Sequence, residues 1–563
     1  MVRVRPTSLI PAFLVAVVFL GYVAYPLVIM LQSSLLVDGT FSLDHYAALL
    51  NPAHRANIEA ITNSVLVSLF SVVFSGVIGV ALAVTFTQLD FRFRRVLSRL
   101  AVLPIALPPL VGVISFLFVF GESGFLPRLL QLMVGSEGVP FYLDGISAIV
   151  VVHVYSFYVY FYLFVSNALR RLDPSLMEAS ASLGSGAWRT FVRVVLPALR
   201  PSLVGASVLT FMASMASFSA PLLFGGEHRF LTTQIYSTKL NGELDLAAAQ
   251  SVLLTGISIV FFIILSRTIS TRSVVASKGT SLLRSISLSP FARRLLVLVT
   301  TTLLAIELLP ILTIILISFV REGSWTWQLL PTEFTAMNYH KLLEDPHVFE
   351  PLRNSMVMGL LTVVAAIALG VTAAFLVVKG GLKRGRLLAE ILLNLPFAIP
   401  GTVIAISLIL AFNTPTLFSG YTVLVGSFWI LPLAYFIRTY PLVIRSTTAA
   451  LAQVDDSLME AGQSFGAGSF TVFRRIVLPM ILPGIVSGSL LTLIAALGEF
   501  VSSILLYSYS SRPVAVEILS QLRAYNFGSA AAYCVVLLLL ILGLTFAANR
   551  LGRASGAEQG VNF

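Results

Sequence analysis

The stretch from Arg170 to Pro201 recurs 282 positions further along the chain, in register. Glu178-Ala179 falls on Glu460-Ala461, Gly184 on Gly466, Leu196-Pro197 on Leu478-Pro479 and Pro201 on Pro483. Asp173 and Leu176-Met177 fall on Asp455 and Leu458-Met459. Each copy is a polar-to-amphipathic segment held between long apolar runs. A fold that satisfies this pattern is built twice from one unit and shows the same short helical element to water twice.

The medium follows from composition. The chain is 57% hydrophobic and 11% charged, with a mean hydropathy of +0.94. Soluble domains carry about 25% charged residues, so a soluble fold could not cover its surface with polar groups here. The expected class is an all-α, polytopic membrane protein. Its 563 residues leave room for about a dozen spans of roughly 20 residues each. The net charge of +11 does not point to nucleic acid, because the basic residues cluster at the ends of apolar runs, where orientation signals belong. The single cysteine, Cys534, lies inside an apolar run and reads as a small buried residue.

Expected spans in the first half are 9–31, 61–88, 100–120, 146–168, 202–224 and 247–266. The second half is expected to span at 295–319, 355–378, 388–412, 422–444, 484–507 and 529–549. The first run is too long for a signal-peptide core and reads as an uncleaved span. The repeat reaches beyond the polar segment: Leu103-Pro104 and Pro108 match Leu395-Pro396 and Pro400 at an offset of 292, and Asn63-Ser64 matches Asn354-Ser355 at 291. Ten residues are therefore extra in the first half, expected near 121–144. Six spans per half bring both repeats into the membrane in the same direction, as two parallel six-helix units related by an axis along the membrane normal. The organisation is a membrane-spanning half at 1–265, a Ser/Thr/Arg-rich linker at 266–294 and a second membrane-spanning half at 295–563.

Of the Lys and Arg residues, 27 fall on the side of the termini and of both repeated segments, and 9 on the other. The positive-inside rule then puts both termini and both segments in the cytoplasm.

In the first segment Asp173 suits an N-cap and Pro174 the first helical position. Leu176, Met177, Ala179 and Leu183 fall at spacings that share one apolar face. Gly184 is placed to end the helix in a left-handed conformation. A second short helix is expected from about Ala187 to Val195, broken by Pro197; in the second copy Asp455 caps, Gly466 breaks and Pro479 ends. A helix–glycine–helix hook with an apolar face outside the membrane packs on its own bundle or on a partner. Two matching copies favour the partner.

Both segments resemble the EAA loop of ABC importer permeases: Glu-Ala-Ala, three residues, Gly, then Leu-Pro further on. The chain departs at the third position, with Ser180 and Gly462, both small enough for close packing. The resemblance covers the chain as two fused six-span units. It is closest to the permeases of ferric iron uptake, with thiamine, 2-aminoethylphosphonate and polyamine permeases as alternatives. It implies that Glu178, Ala179, Gly184, Leu196 and Pro197, with Glu460, Ala461, Gly466, Leu478 and Pro479, dock ATPase subunits. It also implies a bacterial inner-membrane location, two ATPase copies and a separate substrate-binding protein. The chain has no Gly-Lys dipeptide and hence no phosphate loop of its own; it is expected to be no enzyme and to need no cofactor.

Glu499, in the eleventh expected span, stands nearly alone as a carboxylate in the membrane and is a pathway candidate. Ser217 occupies the matching position of the first half. Tyr155, Tyr158 and Tyr162 lie at i, i+3 and i+7, a stripe that either lines a passage or packs as core. His153 reads as a hydrogen-bonded core residue, and no His or carboxylate cluster points to a bound metal. Two other classes compete. An ion-coupled carrier needs several mid-membrane charges, and a membrane enzyme needs clustered acid, base or metal-ligand residues; neither pattern is present.

Overall fold

The computed structural model describes residues 9–37, 39–267, 289–379 and 385–554. Most of the expected linker, residues 268–288, lies outside them, as do the first eight and last nine residues. Lipid offers backbone groups no hydrogen-bond partners, so a spanning chain must satisfy them within helices. The described residues follow that rule. Their only paired strands are Leu36–Val37 and Thr40–Phe41, a small antiparallel hairpin outside the spans.

Among the described residues nine helices are long and apolar enough to cross a membrane, and two bent pairs bring the number to eleven. The remaining expected span, 422–444, corresponds to the helix Ile430–Leu451, which carries Arg438 and Arg445.

Several expected spans are broken rather than continuous. The helix Arg200–Met215 ends before Ser219–Phe224, and Leu478–Leu497 ends before Val501–Leu506. These breaks fall at the same place in the two repeats. The third span of each half breaks as well. Arg386–Ala398 meets Gly401–Phe412 at 98°. Pro400 forces Ile399 to an extended ψ of 130°, as a proline does to its predecessor. Pro108 does the same to Leu107, with ψ 131°. The repeated Leu-Pro and Pro of the sequence are thus the hinges of two broken helices.

Each half is built round one close helix pair. Arg55–Gln88 packs on Gly145–Arg171, and Pro346–Lys379 on Ile430–Leu451. Gly79 and Gly370, 291 residues apart, permit the approach. A Cβ on Gly79 would sit 2.5 Å from the Tyr158 carbonyl oxygen, and one on Gly370 2.8 Å from Val443. Small residues at such crossings let backbones meet where lipid supplies no hydrophobic drive.

The halves exchange their first helices. Pro11–Ser34 packs on the second half, where Tyr22 and Tyr25 lie against Phe412 and Phe418 and the Tyr22 hydroxyl donates to the Phe418 carbonyl at 2.9 Å. In return Pro290–Ser318 packs on the first half, and Leu304 joins the core formed by Leu82, Phe86 and Tyr158. The ten extra residues form a helix, Phe125–Val134, where the second half has only a short turn at Leu417–Ser419.

Candidate functional site

The two repeated segments fold alike, residue for residue. In the first, Asp173 caps Pro174–Ser182 by accepting the Ser175 amide at 2.9 Å; in the second, Asp455 caps Asp456–Ser464 by accepting the Ser457 amide at 2.9 Å. That bond holds the Asp455 carboxyl below its ordinary range. Gly184 and Gly466 reverse the chain at φ +77° and +80°, conformations that cost a side-chain-bearing residue strain.

One of the return helices differs from the sequence expectation. Pro479 does not break its helix, whereas the helix that carries Pro197 ends one residue later, at Ala198. Each follows a single π-turn, Phe191–Val195 or Phe473–Val477, in which the Leu196 or Leu478 amide donates to the Phe191 or Phe473 carbonyl. Proline has no amide proton and crowds the carbonyl four residues back. Widening the helix by one residue just before it relieves the clash and sacrifices no donor. In the first half the bend falls after the proline, 67° between Trp188–Ala198 and Arg200–Met215; in the second, Ser469–Leu497 runs through.

The apolar residues of each hook divide between two faces. Met177 does not share the outer face with Leu176, Ala179 and Leu183; it packs with Phe191 on the core around Val195 and Leu199. Met459 and Phe473 do the same around Val477 and Ile481. These contacts fix each hook to its own bundle. The opposite face is bare. Leu183 is 85% exposed and Trp188 77%; their repeat mates Phe465 and Phe470 are 92% and 74% exposed. Leu176, Leu458, Glu178, Ala179, Glu460 and Ala461 are exposed beside them. Among the described residues nothing covers this acidic, small and aromatic surface on either hook.

The departures from the triplet pattern are compensated locally. The Ser180 hydroxyl lies 2.9 Å from that of Thr190, bracing the two arms of the first hook. In the second, Gly462 faces Val472 and Ile476 so closely that a Cβ would stand 2.9 Å from Ile476.

The second constellation lies where the membrane helices break. Ser217 and Phe218 occupy one break, Glu499 and Phe500 the other. The rings of Phe218 and Phe500 are 5.8 Å apart. Residues equivalent in two repeats can touch only at the axis that relates them, so this contact marks the centre of the molecule. Pro108 of the first half stands against Gly498 of the second at the same level.

Polarity there is one-sided. Glu499 pairs with Arg438 at 2.5 Å and accepts the Ser502 amide at 2.9 Å. The matching positions of the first half are Ser217 and Ser156, and the Ser217 carbonyl accepts the Thr232 hydroxyl at 2.7 Å. Arg438 is the partner that the sequence reading does not assign to Glu499. An arginine inside one apolar segment and a glutamate inside another was the signal.

Glu307, in Pro290–Ser318, corrects the reading that Glu499 stands nearly alone. It is buried and accepts the Tyr158 hydroxyl at 2.7 Å. The tyrosine stripe packs as core. Tyr155 sits edge-on to Phe116, the Tyr158 hydroxyl oxygen also lies 2.9 Å from the Ala101 carbonyl, and Tyr162 lies edge-on to Phe86. His153 accepts or donates between Ser71 and Ser214, at 3.1 and 3.0 Å.

Residues 75–276, and again 366–555, match the family described as the binding-protein-dependent transport system inner membrane component. The chain belongs to that family. It is the membrane-spanning permease of an ABC importer, a multi-pass inner-membrane subunit whose ATP is hydrolysed by separate ATPase subunits and whose substrate is handed over by a binding protein. The permease is 29% identical over 465 residues to the ABC transporter permease protein y4fN of Sinorhizobium fredii, covering 81% of each chain. It is 27% identical over 531 residues to the ferric transport system permease protein FbpB of Actinobacillus pleuropneumoniae, covering 93% of this chain and 75% of that one. Among solved structures it is similar to a chain of a bacterial ABC transporter involved in the import of the acidic polysaccharide alginate. There the identity is 18% and the TM-score 0.38, over 46% of this chain and 97% of that one.

The repeated Asn-Ser of the permease also acquires a role. Asn63 donates to the Arg229 carbonyl at 3.1 Å and Ser64 accepts the Leu231 amide at 2.9 Å; Asn354 and Ser355 treat Arg512 and Val514 in the same way at 3.2 and 2.8 Å. Each pair pins the start of the helix that follows the central break, Leu231–Leu240 or Val514–Arg523.

Proposed function

We propose that this permease imports ferric iron, with one copy of an ATPase subunit seated on each hook. The observation that carries the docking role is the equivalence of the two bare faces, Leu176-Glu178-Leu183-Trp188 and Leu458-Glu460-Phe465-Phe470, on bases locked to their own bundles. Gly184 and Gly466 shape the turn, and Leu196-Pro197 and Leu478-Pro479 join each hook to a membrane helix, through a 67° bend in the first half and without a break in the second. Both hooks and both termini face the cytoplasm, as the distribution of Lys and Arg requires. Closure of the ATPase pair draws the hooks together, and the attached helices part Phe218 from Phe500. Glu499 and Ser217 then line the passage.

Ferric iron is favoured by the extent of the likeness. Three ferric transport permeases align with 93%, 87% and 67% of this chain, whereas a 2-aminoethylphosphonate permease and a molybdate/tungstate permease, matched over 90% and 78% of their own length, align with 44% and 36% of it. The test has two arms. Purification of the complex with its binding protein, followed by uptake of radiolabelled ferric iron into ATP-loaded proteoliposomes, names the cargo. The double variant Glu178→Arg, Glu460→Arg is expected to hydrolyse ATP without uptake; normal uptake would remove the docking role.

A further inference from the structure

We propose that the groove between the start of Pro290–Ser318 and the turn that follows Arg55–Gln88 binds an anionic phospholipid. The groove has a volume of about 620 Å³ and is lined by Phe91, Arg293, Arg294, Val297, Leu298 and Thr301. From residue 293 to 301 its wall is one face of a single helix, and its chemistry changes along that face. Two guanidinium groups stand at the end where the apolar helix begins; Val297 and Leu298 follow one turn on, and then Thr301, whose hydroxyl is turned back onto the Val297 carbonyl. This order, cationic and then apolar over roughly 12 Å of helix, is that of a phospholipid read from headgroup to acyl chain.

The arginines are placed for a ligand rather than for each other or for protein carboxylates. Arg293 donates to the Asp90 carbonyl, which holds its side chain across the mouth of the groove. Among the described residues neither Arg293 nor Arg294 forms an ion pair, and neither does the Asp90 carboxylate. Exposed Arg92 and Arg95 in and after the same turn add charge of the same sign. Phe93, Phe291 and Leu295, neighbours of the lining residues in sequence, are exposed, as aromatic and apolar residues are at a membrane–water boundary. Basic pockets at the end of a membrane helix select anionic headgroups.

The site also has a structural consequence. Pro290–Ser318 is the helix exchanged onto the first half, and the groove lies where it meets that half. A bound lipid would bridge the exchanged helix to the turn between the second and third membrane segments of the first half.

The probe is phosphatidylglycerol against phosphatidylcholine, with the full chain in detergent and retained lipid counted by native mass spectrometry. Phosphatidylglycerol is expected to be held preferentially. The double variant R293Q/R294Q is expected to lower that preference about thirtyfold, equivalent to about 1 kcal/mol per arginine, while R293K/R294K keeps most of it. R321Q/R353Q, which removes two outlying charges, is expected to leave it unchanged. Equal retention of the two lipids, or an unaltered preference in R293Q/R294Q, would overturn the proposal. So would binding of glycerol phosphate as tight as that of the lipid, since the apolar wall would then contribute nothing.

Discussion

Phe218 and Phe500 stand 282 residues apart in the chain and 5.8 Å apart in space. They come from equivalent helix breaks in the two halves, and both rings are buried. The contact is the place where the two repeats meet face to face, and a path along the axis between them must pass it.

Truncating both rings should therefore open the path. F218A/F500A is expected to make proteoliposomes leaky to small cations without ATP, with each single variant intermediate. Flux indistinguishable from that of the parent would show that the closure lies elsewhere.

The bare aromatics of the hooks are expected to carry much of the ATPase affinity. Buried interface aromatics commonly cost 2 kcal/mol or more on truncation, so W188A and F470A should each weaken ATPase association by about thirtyfold. Surface plasmon resonance with the purified ATPase reads this directly. M177A, on the opposite face, should lower the melting temperature and leave the association of folded protein intact.

Arg438 and Glu499 hold each other in a setting where a lone charge is costly. E499Q or R438Q alone is expected to destabilise by about 3 kcal/mol. The double variant R438Q/E499Q should recover part of that loss, because no charge is stranded. A double variant less stable than either single would argue that the pair does not compensate.

The hooks differ in how they are tethered. Lys379, at the end of Pro346–Lys379, donates to the Val454 carbonyl at 3.0 Å and pairs with Asp456 at 2.5 Å. Its counterpart 291 residues earlier is Gln88, buried with neither amide atom hydrogen-bonded among the described residues. The first hook thus lacks the latch of the second. Hydrogen exchange should be slower over 456–464 than over 174–182, and K379Q should erase the difference. Equal rates in the parent chain would rule out a latch.

Much of this was legible in the residues. Asp173 and Asp455, Gly184 and Gly466 do what their types do at helix ends, since capping and chain reversal depend on a few neighbouring atoms. The offset of 282 carried the equivalence of the hooks because it compares the chain with itself. The prolines divide: the helix bearing Pro197 stops at Ala198, close to where a proline is expected to end it, whereas Pro479 follows a π-turn that lets its helix continue. Pro108 and Pro400, read only as repeat markers, are the residues that break a span.

By itself the sequence determined the medium, the duplication, the hooks and the family, all of which follow from composition and from spacings of a few residues. The tertiary structure decided what depends on distant segments meeting. It assigned Met177 to the core and left Leu183 bare, exchanged the first helices between halves, gave Glu499 its partner in Arg438 and brought Phe218 to Phe500. Those pairings are set by how whole helices cross, and a helix's own sequence specifies which face is apolar without specifying which neighbour will cover it.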